Sequence, residues 1–180
     1  VEIGFFADKW LYASASAGSN LSDYTSNYTK DPTYTARVEI TPQLGEVGLM
    51  FGGSCAAVKL GGASDTLTTN MYRGFFGFGY DEFSLLAEYD MSNDLLSPDV
   101  KSSMIMLEAA YGVLTGLDAV VRYDRIDYNA DTDKDEISRL IFGFEFHPYS
   151  FIEIRPQYRL VMEDPSVDND SFVLQFHFWY

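Results

Sequence analysis

The sequence predicts an all-β protein: a transmembrane, antiparallel up-and-down β-barrel of about ten strands, or the C-terminal part of a larger one. Three observations carry this. Apolar residues recur at every second position, short turns alternate with long polar loops, and strand charges fall on the face opposite the apolar residues. The abundance of Tyr, Phe, Val, Ile and Thr favours strand over helix throughout.

At 180 residues the chain reads as one barrel domain, residues 1–180. Its net charge of −15, with only 12 basic residues, argues against nucleic acid, which needs a clustered Lys/Arg surface. The single cysteine, Cys55, cannot form an internal disulfide and reads as a small apolar residue. No apolar run is long enough for a membrane-spanning helix. The chain starts at Val1 without a Met or a secretory signal, as a processed product or a fragment would, so strands upstream of Val1 are an open expectation.

Taken in order, the first strand is expected over 1–12, where VEIGFFADKWLY alternates from the first residue. A long polar loop, 13–32, follows. Strands at 33–41 and 46–57 flank the turn TPQLG, the second of them rich in Gly and Ala. Strands at 68–79 and 83–91 flank YDE, strands at 102–113 and 117–127 flank LTG, and strands at 137–146 and 151–162 flank HPYS. The last strand is 170–180. Pro, Gly and Asp in these four turns are the residues tight turns require. Between the hairpins stand the longer loops 58–67, 92–101, 128–136 and 163–169. Short turns on one rim and long loops on the other match periplasmic turns and extracellular loops. With HPYS periplasmic, the odd-numbered strands run outward and both chain ends are expected in the periplasm. Four of the five lysines are expected in long loops (Lys30, Lys59, Lys101 and Lys134), whereas arginines keep to strands, where a guanidinium can pair bidentately with carboxylates.

The faces separate cleanly. In FIEIRPQYRLVM, Ile152, Ile154, Pro156, Tyr158, Leu160 and Met162 oppose Glu153, Arg155, Gln157 and Arg159. Leu140, Phe142, Phe144 and Phe146 oppose Arg139, Glu145 and His147, and Ala36, Val38 and Ile40 oppose Arg37 and Glu39. Phe83, Leu85, Ala87 and Tyr89 oppose Ser84, Glu88 and Asp90, and the same parity puts Arg73, Glu108, Arg122 and Asp124 on the polar face. Periodicity alone is blind to inside and outside. A soluble ten-stranded barrel of the fatty-acid-binding kind would turn its apolar face inward. Bulk decides against it: rows of Phe such as 142, 144 and 146 would overfill a small barrel yet suit a lipid surface. Aromatics including Tyr80, Phe83, Tyr111, Tyr149, Phe151 and Trp179 gather near the short-turn rim, as an interfacial girdle would.

The closing stretch SFVLQFHFWY, with Phe172, Leu174, Phe176, Phe178 and Tyr180 in alternation, resembles the C-terminal signature of bacterial outer-membrane proteins. In that family the signature is read by the barrel-assembly machinery; Tyr stands here where Phe is usual. RLIFGFEFHPYSFIEIRPQYRL and the following QFHFWY are similar to the last strands of longer porin-like barrels. This resemblance implies a Gram-negative outer-membrane location, with lipid and lipopolysaccharide as surroundings.

Chemistry finds little purchase. Ten-stranded barrels include the omptin proteases, whose catalytic Asp and His residues sit at the extracellular rim, whereas His147 and His177 map to the periplasmic end. No Ser/acid set accompanies His177 for a phospholipase-like site, so no catalytic residue and no cofactor is expected. Asp131, Asp133 and Asp135 alternate as a weak Ca²⁺ candidate, but the loop lacks the Gly and the closing Glu of an EF-hand. The candidate site is therefore the charged face itself: Arg37, Glu39, Arg73, Glu88, Glu108, Arg122, Asp124, Arg139, Glu145, Glu153, Arg155 and Arg159. Lining a lumen, these residues would make a porin-like channel for ions or small polar solutes. Packed against one another, they would plug a structural barrel whose acidic loops meet a protein partner or another copy of the chain, or whose wall surrounds one.

Overall fold

The computed structural model describes residues 1–8, 10–19, 32–60, 67–94 and 98–179. Its strands are β1 (Glu2–Ala7), β2 (Leu11–Ser19), β3 (Pro32–Ile40), β4 (Gln43–Leu44), β5 (Val47–Leu60), β6 (Leu67–Tyr80), β7 (Phe83–Asn93), β8 (Lys101–Leu114), β9 (Leu117–Asp127), β10 (Ile137–Tyr149), β11 (Ile152–Glu163) and β12 (Ser171–Phe178). There is no helix among the described residues. Apart from the two-residue stub β4, which pairs β5, each strand lies beside its sequence neighbours in one antiparallel up-and-down sheet. Nine of the ten expected strands appear within a few residues of their expected bounds.

The first strand is the exception. Residues 1–12 do not form one strand: the chain turns at Asp8, whose φ is 51°, and returns as β2, with Ala7 opposite Leu11 and Glu2 opposite Ser16. Much of the expected first loop is therefore strand, and residues 20–31 lie outside the described part. Lys59 and Lys101, assigned to loops by sequence, stand in β5 and β8.

The extra reversal changes the topology. Eleven long strands run alternately, so β1 and β12 point the same way, and Val1 and Phe178 lie at opposite rims. The expectation that both chain ends share one rim is corrected on this point. The sheet is also open: β1 pairs only β2, and β12 pairs only β11. Of the two expected forms, a ten-stranded barrel closed within this chain is therefore not formed.

Two glycines set local geometry. Gly116 takes φ +79° in the β8–β9 turn, and its carbonyl accepts the His147 amide at 2.7 Å. A β-carbon there would stand 2.9 Å from the His147 carbonyl oxygen, so both the conformation and the approach of β10 favour Gly. Gly52, opposite Phe75 on β6, leaves room for that ring: an added β-carbon would lie 2.7 Å from its Cζ and against the Val38 carbonyl. Covering a strand glycine with a cross-strand aromatic shields backbone that would otherwise be open.

Burial is one-sided, and inverted from the usual pattern. The shielded apolar side chains, Phe75, Met106, Val120 and Ile141, and the shielded polar ones, Thr69, Ser92, Ser102 and Glu153, all belong to the charged face. Rows of Phe, Tyr and Leu on the other face stay open: Phe142 is 43% exposed, Leu174 49% and Phe172 67%. The sheet curls around its charged face and leaves its apolar face outermost.

Candidate functional site

Strand register brings the charged residues together. Arg37, Ser54, Arg73 and Asp90 stand in one row across β3, β5, β6 and β7. Glu108, Arg122, Ile141 and Arg159 stand in another across β8 to β11. All twelve sequence-derived site residues fall on this one face, as the period of two requires.

Most of its arginines are held by carboxylates. Arg37 Nη2 is 2.6 Å from Glu39, and its guanidinium lies 4.6 Å from the centre of the Phe75 ring. Arg73 Nε donates to Asp90 at 2.6 Å and Nη2 reaches Glu88 at 3.3 Å. Arg122 and Arg139 share Asp124 at 2.7 and 2.6 Å, and Arg122 also lies 3.7 Å from Glu108. Arg155 bridges Glu153 at 2.6 Å and Glu145 at 3.0 Å. Arg159 differs: its Nη2 donates to the neutral Gln157 amide oxygen at 3.1 Å, and its shielded Nε has no hydrogen-bond partner among the described residues.

Near the short-turn rim, both histidines face one carboxylate. His177 Nδ1 is 2.7 Å from Glu153 Oε2 and His147 Nε2 is 3.7 Å from Oε1, while the Trp179 ring packs against each imidazole. Glu153, 2% exposed, is the most shielded charged side chain described. A buried charge persists only when paired in this way.

Ligand atoms of Glu145, His147 and Glu153 lie within 4.8 Å of one another, the one such group among the described residues. Arg155 already supplies a cation there, bonded to both carboxylates, so the group is a completed ion-pair cluster. Asp131, Asp133 and Asp135 form no such group among the described residues. Asn129 and Thr132 shape that loop instead, through a 2.7 Å side-chain bond.

Towards the long-loop rim the same face becomes hydroxyl-rich. Ser92 bonds Ser102 at 2.6 Å, and Ser16 bonds Thr35 at 2.7 Å. Here the curled sheet encloses a groove of about 610 Å³, reaching from Glu2 and Tyr12 past Arg37, Arg73 and Asp90 to Ile126 and Tyr128. That volume is in the range of small-molecule sites.

Sequence reasoning left Asp90, the nearest partner of Arg73, out of the site, although its parity was plain. It also missed the two histidines' shared carboxylate and the apolar patches within the polar face, Phe75 and Ile141 among them. Of the alternating residues of the closing stretch, Phe172, Leu174, Phe176 and Phe178 project from the apolar face of β12, and Tyr180 lies outside the described residues. Trp179 is tied to the neighbouring turn, its amide bonded to the Phe151 carbonyl at 3.1 Å. No protein-family model, curated protein or solved structure matches the chain.

Proposed function

We propose that this chain forms the wall of a porin-like channel in a bacterial outer membrane, passing ions or small polar solutes along its charged face. The observation that carries the reading is the inverted burial: the charged face is shielded and the aromatic face is open. In water this arrangement leaves apolar area unburied, whereas in a bilayer the open face meets lipid and the charged face meets a hydrated lumen. Strands of 11–14 residues in β5 to β11 reach or exceed the roughly 9–11 that a tilted membrane strand needs. With the short turns periplasmic, β12 ends in the periplasm and Val1 lies at the extracellular rim. Because β1 and β12 run the same way, an antiparallel ring takes an odd number of further strands, giving an even total of twelve or more. Barrels of that size are wider than the eight-stranded kind whose side chains fill the interior. Lipopolysaccharide surrounds the wall, and the alternating aromatics of β12 serve as the signal for the barrel-assembly machinery.

Planar-bilayer recording tests the reading. Discrete conductance steps are expected, with cation preference altered when Arg73 or Glu88 is reversed in charge. Correctly inserted protein that gives no steps, in the parent and in both variants, sinks the proposal.

Dense ion pairing across the charged face favours a second reading, a plugged barrel that binds or ensheathes a protein through its acidic loops. Under that reading the parent is silent in bilayers, and deletion of 163–169 abolishes capture of the partner.

A further inference from the structure

We propose that Arg159 is an oxyanion-contacting residue of the charged face, holding carboxylate or phosphate groups of solutes that enter the lumen. The inference rests on the channel reading for where the solute comes from, and on the geometry of β9 to β11 for where it binds.

The charge balance is local. Between β8 and β11 the middle of this face holds three guanidiniums, Arg122, Arg139 and Arg159, against two carboxylates, Glu108 and Asp124. Both carboxylates are taken: Asp124 by Arg122 and Arg139, and Glu108 by Arg122. Farther along β11, Glu153 and Glu145 are held by Arg155. Of these four guanidiniums Arg159 alone has no carboxylate partner, because Arg155 takes two, and its sole hydrogen-bond partner among the described residues is a neutral amide.

The surroundings suit an anion. Ser171 stands directly opposite Arg159 in the β11–β12 ladder, and Ile141 stands opposite on β10, 6% exposed. A guanidinium beside a hydroxyl offers several N–H donors and one O–H, the set that an oxyanion accepts. Ile141 and the strand backbone limit water on one side, which strengthens such hydrogen bonds. Arg73 contrasts with Arg159, since two acids, Asp90 and Glu88, already surround it.

The test measures binding directly, so it does not depend on conductance. Inorganic phosphate is titrated with the full chain refolded in a phosphorus-free detergent, and the ³¹P linewidth is read. Saturable broadening is expected for the parent chain. It should weaken about tenfold or more in Arg159→Gln, as loss of a charge-assisted contact implies. Arg125→Gln removes the same charge from the apolar face near the loop rim, and it is expected to leave the broadening unchanged. Arg159→Lys keeps the charge but loses the fork, and it should fall between the two. Acetate that competes supports a general oxyanion site; acetate that fails to compete supports one selective for phosphate. Equal broadening in the parent and Arg159→Gln overturns the assignment, and so does equal loss in Arg159→Gln and Arg125→Gln. A chain that binds phosphate at Arg159 yet conducts no current leaves this assignment standing and removes the channel reading alone.

Discussion

Glu153 and Arg155 stand two positions apart on β11 with their side chains on one face, and Arg155 Nε donates to Glu153 Oε1 at 2.6 Å. The carboxylate is the more shielded partner, so its removal leaves a guanidinium and the His177 ring without their shared acceptor. Glu153→Gln is expected to cost about 3 kcal/mol, read as a lower urea midpoint in lipid vesicles. The double variant Glu153→Leu/Arg155→Leu should cost less than the sum of the single changes, because the pair is coupled. Strict additivity would show that the two charges do not depend on each other.

Gly52 gives a second expectation. A β-carbon there meets the Val38 carbonyl as well as the Phe75 ring, so Gly52→Ala should destabilise by about 1–3 kcal/mol. Phe75→Ala should not rescue it, since the backbone contact remains. Full rescue would mean that the ring alone sets the spacing.

Phe142 distinguishes lipid from water on the apolar face. It lies midway along β10 and is 43% exposed, so in water an arginine there is close to neutral. In a bilayer Phe142→Arg is expected to cost about 2–4 kcal/mol. Comparing unfolding midpoints in vesicles for Phe142→Arg and the parent decides between the two, and an unchanged midpoint would speak against a lipid-facing surface.

The β6–β7 turn supplies a pH expectation. Asp81 takes φ 52° beside Glu82, whose carboxyl is raised above its ordinary range, chiefly by a hydrogen bond with Asp81 and also by that neighbour's charge. The folded chain therefore binds this proton more readily than the unfolded chain, and stability falls as pH rises through the raised value. Asp81→Asn removes the repulsion and keeps a residue that tolerates positive φ. The variant should have the higher thermal midpoint at neutral pH, with the gap narrowing as Glu82 takes up its proton in mild acid. A gap independent of pH would assign the gain to backbone conformation alone.

The sheet was legible where side chains contrast. In β10 and β11, Phe and Ile alternate with Arg and Glu, so two-residue periodicity announced both the strand and its faces. In β2 the alternation is ASASAGS, where Ala and Ser differ little in hydropathy, and the strand read as a loop. The turn before it, at Asp8, has an Asp at positive φ as the YDE turn does, but it lies within a stretch, VEIGFFADKWLY, that reads as one continuous alternating strand. The strand count therefore failed by one where the returning strand lacks contrast and a single Asp is the sole mark of the turn. The charged face was legible as a face. Which acid holds which arginine was not, because pairs such as Arg139 with Asp124 depend on the register between strands, and register follows from turn lengths and bulges. The odd position of Arg159 emerges only after every other pair has been drawn.

The shared direction of β1 and β12 limits how molecules of this chain can meet. Each rung inside the sheet joins strands of opposite sense, yet two copies inserted with one orientation offer each other only a head-to-tail junction of like sense, the slightly weaker kind of ladder. A copy would have to turn over, carrying its acidic loops through the bilayer, before β12 could align against another β12 in the preferred way. In the outer-membrane setting proposed above, the bilayer would act as a polarity filter on these edges, discouraging ribbons of concatenated sheets, whereas freely tumbling molecules in detergent meet no such barrier and are the ones to watch for edge-to-edge pairs.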